Sequence, residues 1–220
     1  MEIPTVRSGL YQQDLKKFSQ QLAEALETFG VVQIDGVEQQ LVDDFYDKIK
    51  EYYAQSSEPP AKVFNCSNYK GNGFYETTLF PPLAIPELDQ SIEKVRKNIS
   101  SLADQVDAAI TSHYGLPSKM MRKGMRIKRY FKGPELDISS SNAKNNILEG
   151  HHDLNFITMA PSASVPGLEG LIDGRWLPLQ AERGHLLAWA ANKMTTHCGI
   201  KSFLHRVPFL DSERYSMIYY

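Results

Sequence analysis

The chain has 220 residues, 42% of them apolar, so it can bury a substantial core and is not globally disordered. Its 24 basic and 26 acidic residues give a net charge of −2 with no block of like charges, which argues against a polybasic nucleic-acid or membrane-surface protein. Two cysteines, Cys66 and Cys198, are too few for a disulfide scaffold, and no Cys/His cluster suggests structural zinc.

The N-terminal stretch lacks an apolar signal core, and no uncharged apolar run reaches membrane-spanning length. A cytoplasmic protein in a reducing compartment is the expectation. From Gln13 to Phe29, apolar residues recur at three- and four-residue steps and Gly30 follows, which predicts a helix with a glycine C-cap. Val31–Ile34 reads as a strand ended by Asp35-Gly36, and Gln40–Tyr53 as a second amphipathic helix.

Residues 55–86 lose periodicity and are rich in Pro and Gly, which predicts a long loop, either a binding lid or a surface excursion. The longest helix follows, over Leu88–Tyr114, with Ile92, Val95, Ile99, Leu102, Val106 and Ile110 on one face and Tyr114 extending it. The pattern then changes to short apolar runs. Candidate strands are Met125–Phe131, Leu154–Met159, Leu168–Ile172, Arg175–Leu177, His185–Ala190, Ser202–Phe209 and Tyr215–Tyr220. Asp173-Gly174 is a hairpin signal, and Ser139–Asn142 reads as a loop. Residues 1–220 are expected to form a single domain. Within it, 1–116 is a helical and loop region and 117–220 a jelly-roll region.

The chemistry-bearing residues lie in the second half. In an extended segment His151 and Asp153 project to one face and His152 to the other. Taken alone the triplet is weak, because this composition gives about 0.7 His-x-acid triplets by chance. His205, in a later apolar strand, adds a second imidazole. Two histidines and a carboxylate form the facial triad that binds iron(II) and leaves positions open for a chelating 2-oxo acid and oxygen. Arg214 and Ser216 share a face by period two and offer a guanidinium and a hydroxyl to a distal carboxylate.

Several spaced motifs now stand in order: Arg126-Ile-Lys-Arg-Tyr130, His151-x-Asp153 with Thr158, Pro166-Gly-Leu-Glu-Gly-Leu171, Asp173-Gly-Arg-Trp-Leu-Pro178, Gly184, Lys201-Ser202, His205-Arg-Val207 and Arg214-x-Ser216. Together they resemble the iron(II)/2-oxoglutarate-dependent dioxygenases of the isopenicillin N synthase-like type, strongly over Met125–Tyr220 and weakly before. The resemblance implies a mainly β fold with flanking helices, a double-stranded β-helix (jelly-roll) core preceded by N-terminal helices. It implies His151, Asp153 and His205 as catalytic iron ligands, Arg214 and Ser216 as the clamp on 2-oxoglutarate, and Tyr130 as a further co-substrate contact. The implied cofactor is Fe(II), with 2-oxoglutarate and O2 as co-substrates. The implied reaction oxidises a small-molecule substrate, hydroxylation being the default, while 2-oxoglutarate is decarboxylated to succinate.

Departures from the pattern bear on function. Lys128 stands where the family carries asparagine, and His152 where it carries threonine; a surface role is expected for His152. The chain ends at Tyr220 where relatives usually continue, so the expectation is either a short member or a pocket covered by a partner, with a homodimer as the candidate. His185 and His197 are expected to be structural or exposed, with His197 as the reserve third ligand. Arg126 serves either strand packing or co-substrate binding, and Tyr219 and Tyr220 either line the pocket or finish a strand. Trp176 and Trp189 read as core or strand-face residues. Phe156 and the Phe74-Tyr75 pair are candidate substrate contacts. Two other readings stay open: a weak or inactive member acting as a binding protein, and an iron oxidase that does not use 2-oxoglutarate. Nucleic acid and membrane are not expected as partners.

Overall fold

The computed structural model describes residues 2–55, 70–71, 75–79, 86–117, 124–132 and 146–220. Helix α1 (Leu10–Gln13) runs into α2 (Leu15–Phe29), which begins where the Asp14 side chain accepts a hydrogen bond from the Lys17 amide and ends at Gly30, with φ of 72°. Phe18, Leu22 and Leu26 on its inner face are fully buried, each contributing about 1.5–3 kcal/mol of transfer free energy. Helix α3 spans Gln39–Gln55 and α4 spans Pro86–Tyr114. Helix α4 packs against both α2 and α3 through the stripe from Ile92 to Ile110. None of the described helices is long and apolar enough to cross a membrane.

Twelve strands form two sheets among the described residues: β1 (Thr5–Val6), β2 (Val31–Asp35), β3 (Lys70–Gly71), β4 (Tyr75–Leu79), β5 (Met125–Tyr130), β6 (Asn146–His151), β7 (Ile157–Pro161), β8 (Leu168–Ile172), β9 (Arg175–Leu179), β10 (His185–Ala190), β11 (His205–Pro208) and β12 (Arg214–Tyr219). The major sheet runs β1-β2-β10-β7-β12-β5-β4-β3 and the minor sheet β6-β11-β8-β9. Every pairing is antiparallel except β1 with β2, and the whole is the expected jelly roll with helices on one side.

Period-two alternation decides what faces the space between the sheets. Met125 and Ile127 of β5, Leu186 and Ala188 of β10, and Tyr215, Met217 and Tyr219 of β12 all join the helices in the largest core cluster. Their neighbours therefore point inward. Arg126, Lys128 and Tyr130 alternate with the β5 pair, Trp189 follows Ala188, and Arg214, Ser216 and Ile218 alternate with the β12 residues.

Several expectations need correction. The strand expected from Leu154 begins only at Ile157, and Leu154 itself is 78% exposed. A strand over Asn146–His151 and a short helix, α5 (Asn192–Cys198), were not expected. The last two expected strands are narrower or shifted, at His205–Pro208 and Arg214–Tyr219. Asp173 and Gly174, with φ of 49° and 75°, make the expected hairpin turn between β8 and β9. Most of the 55–86 loop, with Cys66 and Phe74, and the Ser139–Asn142 tract lie outside the described residues.

Candidate metal and co-substrate site

His151 and His205 are direct register partners across β6 and β11, and their ring centroids stand 4.3 Å apart. Beyond His151 the chain is no longer extended, so alternation does not place Asp153, contrary to the sequence argument. Asp153 is held instead by the segment that turns onto α5. The amides of Asn192, Lys193 and Ala191 donate to the carbonyls of Asp153, Asn155 and Phe156 at 2.9–3.0 Å. One ligand atom each from His151, Asp153 and His205 then falls within 4.8 Å of the others.

Hydrogen bonds orient the three groups. His151 Nδ1 lies 2.9 Å from the Glu149 carbonyl and His205 Nδ1 lies 3.3 Å from that of Phe203, so each Nδ1 donates and each Nε2 lone pair turns toward Asp153. The Nε2 atoms are 3.8 and 3.6 Å from the carboxylate. Asp153 Oδ2 accepts from Thr158 Oγ1 at 2.6 Å and from Trp189 Nε1 at 3.0 Å, which leaves Oδ1 for a cation. Asn155 Nδ2 in turn donates to Thr158 Oγ1 at 3.1 Å.

The electrostatics suit a divalent metal. Burial pushes the His205 imidazole down to about 4, and Asp153 only partly offsets this, so the ring is neutral. Burial pushes the Asp153 carboxyl up, but His205, the Thr158 hydroxyl, Lys128 and His151 together hold it below the ordinary carboxylate range. Neutral imidazoles beside an ionised carboxylate are the donor set that Fe(II) takes in a facial triad.

Two cavities meet at this cluster. A narrow inner one, about 30 Å³, is lined by Tyr130, His205, Arg214 and Ser216 among apolar residues such as Leu187 and Val207. A larger outer cleft, about 590 Å³, is lined by His151, Asp153, Arg126, Phe156, Lys193 and Tyr220, among others. Lys128 and Ile218 line both. Register explains the order: Tyr130 pairs with Arg214, Lys128 with Ser216 and Arg126 with Ile218, so paired inward residues of β5 and β12 step from the inner cavity to the outer cleft.

Arg214 is almost completely buried. Its Nε donates to the Val165 carbonyl at 3.1 Å and its guanidinium carbon stands 5.1 Å from the centre of the Tyr130 ring. It has no ion pair with any described carboxylate, so its buried charge calls for an anion.

The remaining candidates sort plainly. His152 is not a free surface residue: it is half-buried, lies 2.9 Å from Ser202 Oγ through Nδ1, and lines the outer cleft. His197 sits on α5 with its ring 5.3 Å from Phe156, outside the metal-type cluster, and His185 Nδ1 meets the Arg183 carbonyl. Phe156 and Tyr220 line the outer cleft, while Tyr219 packs into the core. Trp176 lies under the Arg206 guanidinium, 4.3 Å from it, and Tyr75 stands against Tyr130. Sequence reasoning missed the contacts of Trp189 and Val165, because each joins segments distant in sequence, and that of Asn155, which lies in an irregular stretch three residues before Thr158.

Comparisons with known proteins agree with this geometry. Residues 124–220 match the family model described as the 2OG-Fe(II) oxygenase superfamily. The fold is similar to dioxygenase for auxin oxidation 1 from Arabidopsis thaliana, solved with 2-oxoglutarate, at 21% identity and a TM-score of 0.75, covering 100% of this chain and 92% of that one. It is also similar to the rice dioxygenase for auxin oxidation, at 18% identity and a TM-score of 0.76, covering 100% and 82%. A full-length Neurospora crassa protein solved with alpha-KG gives 13% identity and a TM-score of 0.80, covering 99% and 84%. No curated protein matches the sequence. The jelly-roll half of the chain thus carries both the match to the 2OG-Fe(II) oxygenase superfamily model and a His-Asp-His cluster with the donor set of an Fe(II) facial triad.

Proposed function

We propose that His151, Asp153 and His205 ligate the iron, that Arg214 and Ser216 grip the distal carboxylate of 2-oxoglutarate with Tyr130 beside them, and that the enzyme hydroxylates a small molecule in the outer cleft. The observation that carries this reading is the buried Arg214 guanidinium, with no described carboxylate partner, facing a cavity that His205 also lines. A carboxylate there would gain charge-assisted hydrogen bonds in a dry, apolar surround. Asp153 neutralises one of the two charges of a divalent ion, which leaves a cationic centre for the 2-oxo acid end. Bound iron supplies the oxidation of substrate coupled to decarboxylation of 2-oxoglutarate to succinate.

The chain's own residues do the positioning. Thr158 and Trp189 fix the Asp153 carboxylate, and the Glu149 and Phe203 carbonyls fix the imidazole tautomers. The inner cavity is narrow, and the Val165 carbonyl holds the Arg214 Nε at its edge. The outer cleft, at about 590 Å³, has the size of a small-molecule site. The names of the similar structures, auxin oxidation in two and thymine as a ligand in another, support a small ring compound as substrate.

Anaerobic titration with iron(II) and 2-oxoglutarate tests the reading. A weak visible charge-transfer band is expected in the wild type, and Arg214→Ala should need at least about tenfold more 2-oxoglutarate to produce it. Iron binding without any band, or a band indifferent to Arg214→Ala, would overturn the assignment.

A further inference from the structure

The outer cleft has a charge pattern that its role as a substrate pocket does not require. Three cations line it: Arg126 and Lys128 on the inward face of β5, and Lys193 on α5. None forms an ion pair with a described carboxylate. Of the two acidic residues in the described lining, Asp153 belongs to the metal cluster and only Asp107 remains. The cleft is therefore cationic, and its low-dielectric walls focus that field onto whatever enters.

The cations are also placed against aromatic surface. Arg126 Nε donates to the Tyr220 hydroxyl at 2.8 Å, and the guanidinium lies 4.6 Å from the centre of the Tyr220 ring, two contacts that orient it within the cleft lining. Lys193 Nζ is 5.6 Å from the centre of the Phe156 ring. The same cleft that holds these cations and two residues of the metal cluster, His151 and Asp153, is also lined by Phe156, Ile157 and Ile218, which give it apolar wall.

We propose that the primary substrate is a small organic anion: an apolar, ring-sized body that lies along Phe156 and Ile218 and a carboxylate that Arg126 and Lys193 hold. The carboxylate end is anchored away from the inner cavity, and the body is presented to the metal side of the cleft. Lys128, at the wall common to both cavities, adds positive charge between the two anions. This inference rests on the co-substrate reading above, because it assigns the inner cavity to 2-oxoglutarate.

The test is ligand-observed NMR on the whole chain loaded with redox-inert Zn(II) and saturating 2-oxoglutarate, which keeps Arg214 occupied. The probes are phenylacetate and its neutral isostere phenylacetamide. Phenylacetate should bind at least about tenfold more tightly at low salt, a preference that shrinks as salt rises. Arg126→Gln and Lys193→Gln should each reduce the preference to about threefold or less, while Arg126→Lys retains most of it. Equal binding of the two probes, absence of saturable phenylacetate binding, or a preference unchanged in both Gln variants would overturn the proposal. Failure of 2-oxoglutarate itself to bind the wild type would overturn the co-substrate reading instead, whichever probe binds better.

Discussion

Thr158 and Trp189 are register partners on neighbouring strands, and both donate to the same oxygen of Asp153. The minor sheet thus supplies the two imidazoles, whereas the major sheet aims the carboxylate. Two donors on one oxygen fix the orientation of the carboxylate and leave its other oxygen free of hydrogen bonds from these strands.

Replacing Trp189 by Phe removes one donor while keeping most of the buried ring. Affinity for Fe(II) or Co(II) should fall about tenfold, and Thr158→Val should do the same, because outer hydrogen bonds to metal ligands carry effects of this size. Competition against a chromogenic chelator measures both. Wild-type affinity in both variants would show that the carboxylate needs no such support.

Gly167 has φ of +142°, and a Cβ there would lie 2.4 Å from Leu210 Cδ2 and 3.2 Å from Arg214 Cδ. Gly167→Ala is expected to cost about 1–3 kcal/mol of stability. It should also weaken 2-oxoglutarate binding about tenfold by displacing Arg214, with metal affinity unchanged. Calorimetric titration of each ligand separates the effects; equal losses for metal and co-substrate would contradict the placement.

Tyr46 is fully buried, and its hydroxyl accepts the Met217 amide of β12 at 3.0 Å, an amide that the β7 edge does not engage. Tyr46→Phe orphans that amide and should cost about 1–3 kcal/mol. Burial raises the phenol above its ordinary value of 10, against the smaller opposing effects of the Met217 amide and Arg214. Above that pH the unfolded chain loses the proton and the folded chain keeps it. Tyr46 therefore adds nothing to the pH dependence below 10 and lowers stability by about 1.4 kcal/mol per pH unit above it. Denaturant unfolding from about pH 8 to about pH 11 should show a shallower decline in Tyr46→Phe, and parallel slopes would refute the assignment.

His152 separates the two ligand candidates in sequence but is engaged with Ser202. His152→Ala should change metal affinity by less than about threefold, whereas His151→Ala should remove most of it. A loss in His152→Ala comparable to that in His151→Ala would place the wrong imidazole in the triad.

The sequence made the elements with strong periodicity legible: α2 with its Gly30 cap, α4 with its six-residue stripe, and strands such as Leu168–Ile172 and His185–Ala190. It hid β6 and α5. In Asn146–His151 only Ile147 is fully buried, and in Asn192–Cys198 only Met194 is, so neither offers a period to read. Leu154 misled in the opposite direction, an apolar residue that belongs to a turn rather than a strand. His151, Asp153 and His205 could be picked out because their spacing carries chemistry. The tie from Trp189 to Asp153 joins residues 36 apart through the pairing of β7 with β10, and local pattern holds no trace of it.

The stepped pairing of β5 with β12 also makes the site a property of one register. Sliding either strand by a single residue would turn Tyr130, Lys128 and Arg126, or Arg214, Ser216 and Ile218, out toward the helices and bring Met125 and Ile127, or Tyr215 and Met217, into the cavities. The same slip would strip the helical core of its sheet-side wall. Folding stability and the proposed co-substrate contacts are therefore encoded in opposite faces of the same two strands, and single-residue insertions or deletions within them would lose both together, whereas point substitutions can reach one face alone.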